Sequence, residues 1–129
     1  GITTIGILHN NCRFYGDYAL CGTRGWFFEE EAKPHTEKML KREVLRLEAS
    51  MKLSEGRRIL AFLHYPPLYE GYRCPEILWK LQEYGVERCF YGHLHGYAHR
   101  RAVEGHRDGV DYALVAADYL RFVPKKICD

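Results

Sequence analysis

Ile59-Leu60-Ala61-Phe62-Leu63, preceded by Arg57-Arg58 and followed by His64-Tyr65-Pro66-Pro67, decides the fold class. Its five consecutive apolar residues leave no polar face, which predicts a short strand buried on both sides inside a parallel sheet. Downstream, Pro75 opens a helix at the position where a missing N–H does no harm. Ile77, Leu78 and Leu81 form the buried face of that helix, and Gly85 is its stop. Residues 86–91 then form a second strand that ends at Gly92. Strand, helix and strand of this length make a βαβ unit with parallel strands and a right-handed crossover.

The flanking sequence supplies the remaining elements. Upstream, a long helix begins at Pro34, carries Leu40, Val44, Leu47 and Met51 at helical spacing, and stops at Gly56. Glu37 with Lys41, and Glu48 with Lys52, are favourable pairs on its wet face. Residues 2–8 read as a strand, and 12–14 with 17–22 as a hairpin around Tyr15-Gly16-Asp17. Thr23-Arg24-Gly25-Trp26 is a loop, and Glu29-Glu30-Glu31 a solvated acidic run. Beyond Gly96, residues 97–103 and 111–116 read as antiparallel strands around a polar loop with an Asp108-Gly109 turn signal. Residues 118–123 read as a last strand, which Pro124 ends. The expectation is α/β with a mixed sheet, one βαβ unit and closing antiparallel strands. No repeat or linker divides residues 1–129, so they read as a single domain.

Composition narrows the classes. The chain has 129 residues, 47% hydrophobic, 28% charged and 14% aromatic, which suits a globular domain and argues against disorder. No apolar run approaches the ~20 residues of a membrane span, and the start lacks the layout of a signal peptide. Nineteen Lys and Arg against 17 Asp and Glu give a net charge of +2. The basic pairs are scattered, so nucleic acid is not indicated as a partner. Five cysteines without a CxxC read as free thiols in a reducing compartment, with the cytoplasm as the expected location.

The chemistry collects where the parallel strands end. His64 follows one strand, and His93 follows Gly92 at the end of the next. Parallel strands end on one edge of a sheet, outside which ligands bind. Adjacent strands are ~4.8 Å apart, so two imidazoles there can share an ion at ~2.0–2.1 Å from each nitrogen. His95, two residues past His93, points the same way in an extended segment. Gly92 and Gly96 bracket the pair, and Pro66-Pro67 stiffens the exit from His64. Seven histidines make one chance HxH unsurprising, but the combination at equivalent strand ends predicts a metal site.

Phe62-Leu63-His64-Tyr65-Pro66-Pro67 and Tyr91-Gly92-His93-Leu94-His95-Gly96 resemble the last two signature blocks of the calcineurin-like metallophosphoesterases, with the nearest look to predicted bacterial phosphohydrolases of that superfamily. The resemblance implies a sandwich of two sheets flanked by helices, with this chain as its C-terminal part. It implies that His64 and His93 ligate one divalent ion and His95 a second, the ions being Mn, Fe or Zn. The implied reaction is two-metal hydrolysis of a phosphomonoester or phosphodiester. The family's earlier blocks, Asp-x-His, Gly-Asp and Gly-Asn-His-Asp or Glu, are absent. His9-Asn10-Asn11 has the reverse order and no preceding glycine. The carboxylates and the Asn-His pair are therefore expected upstream of Gly1, and no catalytic residue is assigned within the chain. Adjacent divalent cations repel, and a bridging carboxylate offsets that repulsion. Alone, the chain is expected to bind at most one ion well and to hydrolyse nothing at a useful rate.

Arg24 is the candidate substrate-binding residue, because guanidinium matches phosphate geometry; a structural hydrogen bond to loop carbonyls is the competing reading. Tyr65, Tyr69, Tyr72 and Trp79 read equally well as pocket or packing. His99 and His106 lie beyond the motif, His99 as a lesser candidate for lining the site and His106 as surface, and Asp118 reads as a turn or hydrogen-bonding residue that no spacing ties to the histidines. The alternative function is a non-catalytic metal-binding or scaffold module. A histidine-triad hydrolase would need a third alternating histidine where Tyr97 stands. Without upstream strands, bare sheet edges favour self-association.

Overall fold

A computed structural model describes residues 5–26 and 36–129. Strands β1 (Cys12–Tyr15) and β2 (Tyr18–Thr23) form the expected antiparallel hairpin. Helix α1 (Thr36–Lys52) leads to β3 (Arg58–Leu63), and α2 (Pro75–Glu83) leads on to β6 (Arg88–Tyr91). Between β3 and α2 lies a small antiparallel ladder, β4 (Leu68–Tyr69) with β5 (Tyr72–Arg73), for which the sequence carried no signal. A 3-10 helix (Gly96–Arg101), β7 (Gly105–Arg107) and β8 (Val110–Leu114) complete the chain. Among the described residues, six strands form one mixed sheet in the order β1-β2-β3-β6-β8-β7, with β4 and β5 as a second, antiparallel sheet.

The four central strands are mutually parallel, and β1 and β7 run antiparallel at the two edges. From β2 to β3 to β6 the chain steps one way across the sheet, so right-handed crossovers place both helices on one face. Leu40, Leu47 and Met51 of α1, with Ile77, Leu78 and Leu81 of α2, share one buried cluster with Cys21, Ala61, Tyr91 and Leu114. Helix α2 ends as its glycine requires: Gly85, at φ +63°, donates to Gln82 O and Val86 donates to Leu81 O, a Schellman closure. The opposite face carries Leu20, Leu60, Phe62, Phe90 and Ala113. Leu60 and Phe90 are buried there outside the helix-covered cluster, and Phe62 stacks on Phe90 at 5.2 Å.

Several expectations are corrected. Residues 5–8 are not a strand, and 2–4 lie outside the described residues. Both edges of β2 are already taken by β1 and β3, and Leu8 instead lies against Gly22, where a Cβ would fall 2.9 Å from Leu8 Cδ2. Residues 97–103 are mostly the 3-10 helix, because Gly96 at φ +57° turns the chain. The antiparallel partner of β8 is β7, inside the expected polar loop, closed by the Asp108-Gly109 turn with both φ positive. Residues 118–123 are turns, closed locally by Leu120 N to Ala116 O and Phe122 N to Ala117 O. Helix α1 ends at Lys52, and a turn carries the chain to Gly56. Pro34 and Glu29-Glu30-Glu31 lie outside the described residues. All five cysteines are free thiols, and no helix among the described residues is long and apolar enough to cross a membrane.

Candidate metal centre

The rim is built from the C-terminal ends of β2, β3 and β6. His64 N and Tyr65 N both donate to Arg24 O, at 3.1 and 3.0 Å, so the exit of β2 holds the exit of β3. Gly92 N donates to His64 O at 3.1 Å, which ties in the end of β6. Just before Arg24, Thr23 Oγ1 donates to the buried carboxylate of Glu43 on α1 at 3.0 Å, and Arg46 pairs with that carboxylate. Gly25 adopts φ +78° where a Cβ would sit 3.1 Å from Tyr65 O, so a side chain there would displace the loop.

His93 occupies the left-handed region at φ +68°, where few non-glycine residues lie. Leu94 N donates across it to Gly92 O at 2.8 Å, closing a three-residue turn. Leu94 is buried in the core, and that anchor holds the strained residue before it. The turn brings the His93 ring to 5.3 Å from the His64 ring, centroid to centroid. An ion ~2.1 Å from a ring nitrogen lies ~3.2 Å from that ring's centroid, so two imidazoles at a tetrahedral angle would be ~5.2 Å apart. The pair therefore fits the spacing of a shared ion. Burial, reinforced by the neighbouring imidazoles of His64 and His95, holds the His93 pKa below the ordinary histidine value, which favours the neutral, ligating form.

Tyr65 stands edge-on to both rings, 4.6 Å from His64 and 4.8 Å from His93. The Arg24 guanidinium donates to the Tyr65 hydroxyl at 2.8 Å and lies over its ring. Arg24 is thus placed at the histidine rim through Tyr65. Of the other aromatics, Tyr69 and Tyr72 stack on each other in the β4–β5 hairpin, and Trp79 is exposed on α2. A cavity of about 480 Å³ between that hairpin and the β7–β8 hairpin contains none of the candidate ligands.

His95 is held differently. Its Nδ1 lies 2.8 Å from Asp118 Oδ1, while Asp118 Oδ2 accepts from Gly96 N at 2.9 Å. Tyr119 N donates to Asp118 Oδ1 as well, and His99 Nε2 lies 3.2 Å from the same oxygen. The Gly96 amide first, and His95 next, hold the Asp118 carboxyl well below the usual carboxylate range. An ionised carboxylate only accepts, so His95 Nδ1 is the ring nitrogen that donates to Asp118, which leaves Nε2 outside that contact. Sequence reasoning named Asp118 as a turn or hydrogen-bonding residue but missed its tie to His95, and it held His99 only as a lesser candidate for lining the site. His106 pairs with Asp111, away from the rim.

The structure therefore brings His64, His93 and Arg24 together around Tyr65, and anchors His95 beside them through Asp118. Among the described residues, no three His, Cys, Asp or Glu side chains are grouped to hold one metal ion. No family model, no curated protein and no solved structure matches the chain.

Proposed function

We propose that the chain is the C-terminal part of a metal-dependent phosphohydrolase of the calcineurin-like metallophosphoesterase type, acting on phosphate monoesters or diesters. The observation that carries this reading is the His64–His93 pair, 5.3 Å apart at the ends of adjacent parallel strands, with His93 in a strained conformation. Sparsely populated backbone conformations cluster at active sites and ligand clamps, which supports a ligating role for His93. His64 and His93 would hold one divalent ion, and His95, with Nε2 free of the Asp118 contact, a second; Mn, Fe and Zn all accept imidazole. Such ions supply Lewis-acid activation and neutralise charge on the phosphoryl oxygens. Arg24 would orient a substrate phosphate through its guanidinium, aligned by Tyr65. The carboxylate ligands and the Asn-His pair would come from residues outside this chain. The sandwich that the resemblance implies would place a second sheet on the side of Leu60, Phe62 and Phe90, where Leu60 and Phe90 are already buried within this chain. A cytoplasmic location agrees with the five free thiols.

A second reading is a non-catalytic metal-binding or scaffold module, which would need no donors beyond the His64–His93 pair. Metal analysis of the purified chain after equilibration with Mn or Zn tests the shared ion. His64→Ala and His93→Ala should each remove the bound metal, and unchanged content in both would overturn the site. Turnover of an aryl phosphodiester by a longer parent protein that carries the upstream blocks, absent without metal, separates the enzyme from the module.

A further inference from the structure

Cys12 and Cys21 stand directly opposite each other on β1 and β2. The two-residue turn Gly16-Asp17, with Gly16 at φ +54°, makes Tyr15 and Tyr18 the hydrogen-bonded closing pair of the hairpin. Pair types alternate along an antiparallel ladder, so Cys12 and Cys21 meet as a non-hydrogen-bonded pair, the type in which side chains lie closest. Cys21 Sγ is 3.6 Å from Cys12 Sγ. A disulfide needs sulfurs ~2.05 Å apart on Cα atoms ~4.4–6.8 Å apart, so side-chain rotation over about 1.5 Å closes the bond while the strands stay in place.

The backbone on both sides of the pair is already fastened. The Ser50 hydroxyl of α1 accepts from Gly22 N, next to Cys21, and donates to Asn11 O, next to Cys12. Asn10 N also donates to Gly22 O at 3.1 Å. The two thiols differ in access: Cys12 is partly exposed and Cys21 fully buried. Burial pushes the Cys21 thiol up to about 12, so Cys12 is the sulfur that meets an oxidant first.

We propose that Cys12 and Cys21 are a redox-active pair that closes to a disulfide when the chain meets a low-molecular-weight disulfide such as oxidised glutathione. The Cys12 thiolate attacks one glutathione sulfur, which breaks the glutathione disulfide, forms a mixed disulfide and releases one glutathione. Cys21 gives up its proton and attacks Cys12 Sγ, which forms the Cys12–Cys21 bond and releases the second glutathione. Two protein thiols are oxidised, one glutathione disulfide is reduced, and the two thiol protons end on the two glutathiones. The bond fastens edge strand β1 to β2, whose end carries Thr23 and Arg24 into the histidine rim. The inference does not depend on the metal reading.

The test is to treat the reduced full chain with excess oxidised glutathione, alkylate the remaining thiols, and read the intact mass and the peptide map. The expected product has lost two hydrogens and carries three alkylated cysteines of the five. Trypsin cuts after Arg13, between the two cysteines, so the link appears as two joined peptides that separate on reduction. The same treatment in urea should scatter the pairing, and Cys12→Ser or Cys21→Ser should abolish the native product. Five alkylated thiols, a glutathione adduct that stays on Cys12, or a bond from Cys12 to Cys74, Cys89 or Cys128 would each overturn the proposal. The wild-type map decides even if a variant fails to fold.

Discussion

Asp118 reaches His95 across 23 positions of sequence, with its Oδ1 2.8 Å from the imidazole Nδ1. The contact follows from strand direction. His95 lies just past the end of β6 and Asp118 just past the end of β8, and these neighbouring strands are parallel, so both residues emerge on the same rim. A carboxylate behind a histidine fixes its tautomer and aims the other nitrogen outward. Asp118→Ala should free the His95 ring, which nitrogen NMR of the metal-free chain would read as loss of the Nδ1–H tautomer preference. On the proposed reading, metal affinity at His95 in a parent protein that carries the upstream blocks should fall about 10- to 100-fold. An unchanged tautomer ratio would show that Asp118 does not hold the ring.

The left-handed turn at His93 has a cost that substitution exposes. His93→Gly should leave thermal stability equal or higher, because glycine takes φ +68° without strain. His93→Val should destabilise by about 1 kcal/mol or more, since a β-branched residue is a true outlier there. Both variants lose the imidazole and should lose metal, so unfolding curves and metal analysis together separate strain from ligation.

Helix α1 docks on α2 through Glu48, which accepts from Tyr84 at 2.9 Å and Lys80 at 3.1 Å. Those contacts, Tyr84 first, hold the Glu48 carboxyl below its ordinary value. A carboxyl with a depressed folded pKa stabilises the fold above its unfolded value of about 4.3 and loses that contribution as pH falls through the folded value. Urea midpoints should therefore decline below about pH 4, and Glu48→Gln should flatten that decline while lowering the midpoint at pH 7. Parallel pH profiles for the two proteins would remove Glu48 from the account.

Leu47 is fully buried between α1 and the sheet, whereas Leu45 on the same helix is 63% exposed. Leu47→Ala should cost about 2–5 kcal/mol in denaturant unfolding, from lost transfer energy and the cavity left behind. Leu45→Ala should stay within about 0.5 kcal/mol. Equal effects would mean that α1 packs through a different face.

The parts of the fold that were legible are those whose own residues record their burial. The run 59–63 has no polar face and became β3; Leu40, Val44, Leu47 and Met51 recur at helical spacing and became the core-facing side of α1; Gly85 ended α2. Strand β8 was visible as a strand, but its neighbours were not. Alternation along a strand shows which face is covered, and says nothing of whether the strand beside it is parallel. The 3-10 helix was hidden because Tyr97 and Arg100 are exposed and give no period to read. The β4–β5 hairpin, with two residues per strand, is too short to carry a pattern.

By itself the sequence determined the α/β class, the βαβ unit and the histidines at the ends of adjacent parallel strands, because apolar runs, glycine stops and strand exits are local properties. Only the tertiary structure decided that β8 lies beside β6, that Asp118 consequently reaches His95, that His93 is held left-handed against His64, and that Cys12 faces Cys21 sulfur to sulfur. Each of those is a contact between segments distant in the chain or a backbone strain held by its surroundings, and packing alone selects it.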